Sequence, residues 1–317
     1  MSGPTQAHQR PGQRLGHRLG LGTAQFGMSY GLTSQGHAVP ESEVAAILEL
    51  ARAASISMLD TAPAYGESEA VLGRVLTDGN GANNAFKIVT KLPSLRSASS
   101  LAGKRALARQ SFERSLRRLA VPRGHGLILH DADDLGGADG EALADLLEDW
   151  RAEGLVERIG VSVYDTAQVD RALEISSVDL IQAPVNVFDQ RLLDGGRLRD
   201  LEKRGVEVHA RSAFLQGLLL MDETEVPPHL AHAKPHLSRY RTALTNAGVS
   251  PFAAALGFVK GIAEIDHIII GVHSARHLAE CLDAFDQPCA VEFAAHRTSD
   301  TAIIDPRLWS KAGRPSP

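Results

Sequence analysis

Short apolar runs alternate with amphipathic stretches along the chain from Arg18 to about Phe285. Such runs, bounded by polar or glycine positions, are the mark of strands covered on both faces. They fall at Leu19–Gly22, Ser57–Asp60, Lys87–Lys91, Gly126–His130, Arg158–Ser162, Asp179–Ala183, Glu207–Arg211 and His267–Gly271. Between them the apolar residues change to helical spacing. Val44, Ile47, Leu48 and Ala51 form one stripe, and Leu143, Leu146, Leu147 and Trp150 another. Val71, Leu72, Val75 and Leu76, then Phe112, Leu116 and Leu119, and later Phe252, Leu256 and Val259, repeat the pattern. The last stripe is Leu278, Cys281, Leu282 and Phe285. Punctuation agrees: Ser250-Pro251 and Ser274 open helices, and Gly154 and Gly205 close them.

Eight strand–helix units predict a parallel sheet covered by helices, and eight is the number that closes a (β/α)8 TIM barrel in a single domain. A doubly wound open sheet is the rival. It calls for a glycine fingerprint after the first strand, and Gly20-Leu-Gly22-Thr-Ala-Gln25 lacks the third glycine, with no helical pattern beginning there. Residues 1–14, rich in Gln, Gly, Pro and His, read as a disordered tail, and residues 15–317 as the barrel. Two stretches break the repeat. Ser212 to Gly248 is too long for a plain loop, and carries Pro227-Pro228 and a helix-like stretch from about Leu237. Ala290 to Pro317 has no period. Both are expected to roof the C-terminal rim and shape a substrate pocket.

Composition narrows the partners. The 317 residues are 44% hydrophobic and carry a net charge of −5, so no basic excess points to nucleic acid or to an anionic membrane surface. No stretch reaches the roughly 18 apolar residues of a membrane span, and the N-terminus has no apolar run of a signal or anchor. The two cysteines, Cys281 and Cys289, lack metal-ligand spacing, and a reducing, cytoplasmic setting fits them.

The chemistry lies at strand ends. Asp60, Lys91 and His130 close three consecutive predicted strands, and Tyr65 follows the first in Leu59-Asp-Thr-Ala-Pro-Ala-Tyr-Gly66. In a TIM barrel those ends form the active-site rim. A free phenol titrates near 10. Lys91 beside it would lower that value, and Asp60 would hold Lys91 in place and protonated. His130 would bond the phenol or the same substrate oxygen. The set is a proton donor aimed at an oxygen that gains negative charge, as a carbonyl does on receiving hydride. No metal is expected: His130-Asp131-Ala-Asp133-Asp134 reads as a solvated loop. Gly160-Val-Ser162-Val-Tyr164 fails the nucleophile-elbow pattern at its last position.

With these residues the chain resembles the aldo-keto reductase superfamily. The resemblance runs through Leu19-Gly-Leu-Gly-Thr-Ala-Gln-Phe-Gly27, the Asp60 to Gly66 segment, Lys91, His130, Ile159-Gly-Val-Ser162, Ile181-Gln182, and Ser212 to Leu219. It implies a barrel that binds extended NADPH or NADH without a Rossmann domain. Tyr65 would be the acid/base, with Asp60, Lys91 and His130 as partners, and the substrate a small carbonyl compound or sugar. Cofactor-binding residues implied are Gly22, Thr23, Asp60, Ser162, Gln182, Arg211, Ser212, Phe214, Gln216, Gly217, Gly271, Ser274, Arg276, His277 and Cys281. The chain departs from the family pattern at five positions. Val163 stands where an Asn helps hold the nicotinamide amide. Arg211 stands where an aromatic ring often stacks on the nicotinamide; it either stacks there itself or turns aside into a carboxylate pair. Gly271 and His277 occupy the positions most like the lysine and arginine that grip a 2′-phosphate, with Arg276 one place off. Cys281 replaces an adenine-binding Asn and also falls on the apolar stripe. NADH use is therefore expected alongside NADPH. Two other classes stay open: a cofactor-binding regulatory or sensor protein with little turnover, and an unrelated TIM-barrel lyase or isomerase.

Overall fold

The computed structural model describes residues 18–32, 36–78, 86–175 and 178–309; the predicted tail at residues 1–14 lies outside them. Eight parallel strands close into one barrel in sequence order, β1 to β8. They are β1 (Leu19–Gly22), β2 (Met58–Asp60), β3 (Lys87–Leu92), β4 (Gly124–Leu129), β5 (Val156–Ser162), β6 (Leu180–Pro184), β7 (Glu207–Arg211) and β8 (His267–Gly271). β1, β7 and β8 keep their predicted bounds. β4 begins two residues early and β5 likewise, because Gly124 already pairs with Val156. β1 and β8 close the ring through Leu19↔Ile268 to Gly22↔Gly271.

Strand alternation sorts the side chains into two cores. Leu59, Ile88, Leu127, Ile159, Ile181, Val208 and Ile268 belong to the shell against the helices. Met58, Val89, Ile128, Leu180 and Ile269 form a separate plug on the barrel axis. Side chains two positions apart share a face. So the residues two places beyond four of those plug positions, Asp60, Lys91, His130 and Gln182, point into the barrel above the plug. This register decides that the rim is polar.

The helices form where the stripes predicted them. Glu41–Ala53 buries Val44, Ile47, Leu48 and Ala51, and Gly140–Ala152 buries Leu143, Leu146, Leu147 and Trp150. The Ser250 hydroxyl accepts from Ala253 N with Pro251 in the first turn, and Ser274 accepts from His277 N. Gly154 and Gly205, at φ +75° and +72°, turn the chain out of their helices. The long connection after β7 holds two 3-10 stretches, Leu215–Leu220 and Pro228–Ala233, and helix Lys234–Ala247. The stretch after residue 290 holds short helical turns at Ala294–His296, Thr301–Ile304 and Pro306–Leu308. One expectation fails here: a single helical turn, Ala24–Gly27, does follow β1. Four residues are too few to show a period. Among the described residues no single helix is long and apolar enough to cross a membrane.

Candidate active site

The loop carrying Tyr65 is fixed by backbone contact with the turn after β1. A Cβ on Gly27 would lie 2.0 Å from Tyr65 O and 2.2 Å from Ser68 N, and Gly66 takes φ +61° against Gly27 O. Only glycine permits that approach. Thr23 N and its hydroxyl both donate to Asp60 O, at 2.9 and 3.0 Å. The Ser68 hydroxyl meets Thr23 O at 2.8 Å and the Thr61 hydroxyl at 3.1 Å. The glycines and hydroxyls of the first two motifs thus hold the phenol in position.

Lys91, 1% exposed, donates to both Asp60 oxygens at 2.7 Å and to Thr61 O at 2.8 Å. Gln182 Nε2 donates to Asp60 Oδ1 at 2.7 Å. Three bonds spend all three ammonium protons, so the lysine is immobile. Its Nζ lies 5.0 Å from the centre of the Tyr65 ring, and the His130 ring meets the Tyr65 ring edge-on at 6.2 Å. All four predicted catalytic residues therefore converge. Among the described residues the Tyr65 hydroxyl and the His130 ring nitrogens have no hydrogen-bond partner, which leaves them free for a ligand.

The electrostatics correct one expectation. Lys91 does not bring the Tyr65 phenol below its ordinary value. Burial, then the Asp60 charge, push the phenol above its ordinary value; Arg211 is the cation that pulls it down. Asp60 cancels the ammonium locally, and burial outweighs Asp60 in pulling Lys91 itself below its usual value. His130 is pushed down to about 4, by burial first and then by Lys91 and Arg211. At neutral pH the rim thus holds a protonated phenol and a neutral imidazole.

The predicted cofactor residues divide. Ser162 and Gln182 are buried beside Asp60 in register, Ser162↔Gln182. The Gln182 Oε1 acceptor has no partner. Val163, fully buried, contributes only backbone: its N donates to Gln182 O, and its O accepts from Arg211 Nη2 at 3.2 Å. In the loop after β7, Ser212, Leu215 and Gln216 take positive φ without being glycine, joined by Gly217 at +97°. Strained backbone of this kind concentrates at ligand clamps. Gln216 O accepts from Leu32 N, and its Nε2 donates to the Tyr30 hydroxyl at 3.4 Å. Phe214, Phe252, His277 and His273 form a row of rings 5.4 to 5.7 Å apart from that loop to the start of the last helix. Cys281 does not join the rim; it is fully buried in the apolar core, its thiol pushed up to about 12 by burial. Gly22 and Gly271 pair across the barrel closure, and the Gln25 amide fills the space a side chain at 271 would take, 2.4 Å from a Cβ there. The Ala275 N–H, at the helix N-terminus that Ser274 caps, already donates to Glu43 Oε1 at 2.7 Å. Arg276 points outward, 89% exposed, onto Glu280.

One of the two courses predicted for Arg211 fails: it makes no carboxylate pair among the described residues. Its guanidinium lies 4.2 Å from the centre of the Tyr164 ring, and Arg307, from the segment without sequence period, lies 3.4 Å from the same ring. Asp305, 4% exposed, holds Arg307 through contacts of 2.6 to 3.1 Å. Sequence reading missed Tyr30, Tyr164, Arg307 and Glu43. It also missed a second cluster at the other end of the barrel, where Glu207, His209 and His267 bring their ligand atoms within 4.8 Å of one another. The Glu-x-His pattern on β7 was its one local signal, since i and i+2 share a face.

Comparison with known proteins agrees with the barrel. The Aldo/keto reductase family profile matches residues 18–296. A putative aldo-keto reductase from Pseudomonas aeruginosa has a similar structure, with TM-score 0.62, 24% identity, and 84% of this chain and 89% of that chain covered. A glycerol dehydrogenase from Gluconobacter oxydans aligns with TM-score 0.65 and 21% identity, over 86% of this chain and 88% of that chain. No curated protein matched the chain. The chain belongs to the aldo/keto reductase family, a family of oxidoreductases.

Proposed function

We propose that the protein is a nicotinamide-dependent oxidoreductase that reduces aldehydes or ketones, or oxidises the corresponding alcohols or sugars, with Tyr65 as general acid/base. The observation that carries this reading is the placement of Tyr65 on the Lys91 ammonium, 5.0 Å from its ring centre, with that ammonium locked on Asp60 by two 2.7 Å bonds. The residues also suit the cofactor. The unpartnered Gln182 Oε1 offers an acceptor to a carboxamide N–H, and the Ser162 hydroxyl lies beside it in register. The ring row from Phe214 to His273 offers a stacking surface for an adenine.

When bound, a reduced nicotinamide supplies hydride to a carbonyl carbon. The chain's own residues manage the oxygen. As negative charge develops there, the Tyr65 hydroxyl donates its proton, and neutral His130 donates a hydrogen bond to the same oxygen. The tyrosinate left behind lies beside Lys91 and within the field of Arg211, and regains its proton from solvent. In the oxidation direction the same phenolate takes the alcohol proton.

The test is loss of reduced-nicotinamide absorbance with a panel of aldehydes and aldoses. Tyr65→Phe is expected to lower kcat/KM by about 10²-fold or more, through loss of the proton donor. An unchanged rate would remove Tyr65 from the mechanism. The second reading, a cofactor-binding sensor with little turnover, draws on the raised phenol pKa. Nicotinamide binding with no turnover of any substrate would favour it.

Cofactor choice follows from charge near the last helix. Glu43 occupies the N–H at Ala275, Gln25 fills the space beside Gly271, and Arg276 is tied to Glu280. None of these offers a free cation to a 2′-phosphate. The ratio of NADPH to NADH affinity is expected below about tenfold, or about 1.4 kcal/mol, as read by fluorescence titration.

A further inference from the structure

The charges around the rim almost all cancel in pairs. Asp60 holds Lys91, Asp131 holds Arg96, Asp189 holds Arg191 and Asp305 holds Arg307. Asp165 accepts from Gln168 N at the start of a helix. Arg211 is left over. It is half-buried, and among the described residues no carboxylate pairs with it. Its only hydrogen bond there is from Nη2 to Val163 O at 3.2 Å, and its guanidinium packs 4.2 Å from the centre of the Tyr164 ring. A guanidinium carries five donors in a fixed fork, so several remain unspent. A half-buried cation without a counter-charge has lost part of its hydration, and an anion bonded to it returns much of that cost.

We propose that the substrate carries an anionic group, a carboxylate or a phosphate, which Arg211 binds beside the reacting carbonyl. The inference rests on the oxidoreductase reading of the same site and names its substrate class. The planar fork of Arg211 suits a two-point contact with either group. Stacking on Tyr164 holds the fork in one plane, and Arg307 packs on the same ring from the C-terminal segment. The charge of Arg211 is felt by Tyr65, Tyr30 and His130, each of which it pulls down, so it lies at the reacting end of the site. An anion bound there fixes which end of a bifunctional substrate meets Tyr65.

The test compares 4-carboxybenzaldehyde with its neutral near-isostere 4-carbamoylbenzaldehyde, at saturating NADH. The wild-type enzyme is expected to prefer the carboxylate by at least about tenfold in kcat/KM, carried mainly by KM, the size of a charge-assisted hydrogen bond. Arg211→Gln should bring that ratio close to one, whatever it does to turnover as a whole, and Arg211→Lys should keep part of the preference. A wild-type ratio near one would overturn the proposal. So would an equal fall for both aldehydes in Arg211→Gln matched by a fall in NADH affinity, because the anion would then be the cofactor's own phosphate. Thermal melts with 4-carboxybenzaldehyde separate this inference from the one beneath it. A rise in wild-type Tm that is absent in Arg211→Gln, with neither aldehyde reduced, would sink the oxidoreductase reading and leave the anion site standing. No rise and no reduction would sink both.

Discussion

The barrel buries a polar cluster at each end, and the two differ in what they leave unpaired. At the end where the strands begin, Glu207 gathers three donors, while the Nδ1 atoms of His209 and His267 stay buried without a partner. His209 and His267 Nε2 meet its Oε1 at 3.0 and 3.2 Å, and Arg158 Nε meets Oε2 at 3.1 Å. Burial pushes the carboxyl up, but the bonds from the two imidazoles outweigh it and hold the group far below its ordinary value. Although the three ligand atoms are close enough for a metal ion, the carboxylate's second oxygen already holds a guanidinium. At the rim the Asp60–Lys91 pair is equally tight, but around it stand a phenol, an imidazole, an amide oxygen and a guanidinium with capacity to spare. Burial of charge is common to both ends. Both ends leave atoms unpartnered, but at the strand-start end these are two imidazole nitrogens, whereas at the rim the spare capacity includes a phenol and a guanidinium, and that difference separates a candidate site from a structural clasp. The position agrees, because chemistry in this fold sits where strands end.

The sharpest test of that difference removes Lys91. Lys91→Met leaves Asp60 buried with only Gln182, and breaking a buried pair this way costs about 3–5 kcal/mol. Asp60→Asn combined with Lys91→Met should recover much of the stability, since no charge is then stranded, while turnover stays lost. Denaturant melts and activity measured on the same samples check both halves. Recovery of turnover with stability would mean that the pair is only a clasp, like the one at the opposite end.

The second test works on that clasp. Glu207→Gln should cost roughly 2 kcal/mol at pH 7, the scale of hydrogen bonds to a charged group, and leave kcat/KM of the folded fraction unchanged. The sign with pH is fixed by the depressed carboxyl. Its contribution is present above the unfolded value near 4.5 and is lost as the pH falls toward the folded one. The gap between Glu207→Gln and wild type should therefore narrow below about pH 4.5. A loss of turnover in well-folded Glu207→Gln would break the assignment of function to one end.

Much of this contrast was legible in the sequence, and the illegible part has a physical cause. All eight strands form within two residues of their predicted places, and His267–Gly271 keeps its bounds, because a buried run must be apolar on both faces. Asp60, Lys91 and His130 were readable because ionisable residues at the ends of consecutive strands are few enough to count. The direction of the Tyr65 shift was not, because it depends on whether burial or the neighbouring charge is larger, and sequence spacing measures neither. Arg307 was invisible for another reason. The segment around it is ordered by contacts with distant residues, Thr298 N with Phe188 O and Arg307 with Tyr164, and so it shows no local period. Of the two courses open to Arg211 the carboxylate pair fails, and its packing on Tyr164 was illegible because Tyr164 became its neighbour only through the fold.

The last predicted effect, of the same size as that of Glu207→Gln, concerns His130, and it probes the rim without any substrate. The imidazole titrates at about 4 in the folded chain, against 6.5 ordinarily, because burial and two nearby cations oppose its protonation. As the pH falls through 6.5 the unfolded chain takes up this proton and the folded chain does not, so stability is lost until the pH reaches the folded value. At pH 5 the loss from this one group is on the order of 2 kcal/mol. Other buried histidines, His209 among them, shift in the same direction, so wild-type acid sensitivity alone does not isolate it. His130→Gln does: its loss of stability from pH 7 to pH 5 should be smaller than that of wild type by about that amount. Equal losses in the two proteins would mean that His130 is solvated and ordinary. The cationic, desolvated character of the rim on which the proposed carbonyl site depends would then fail at its most accessible point.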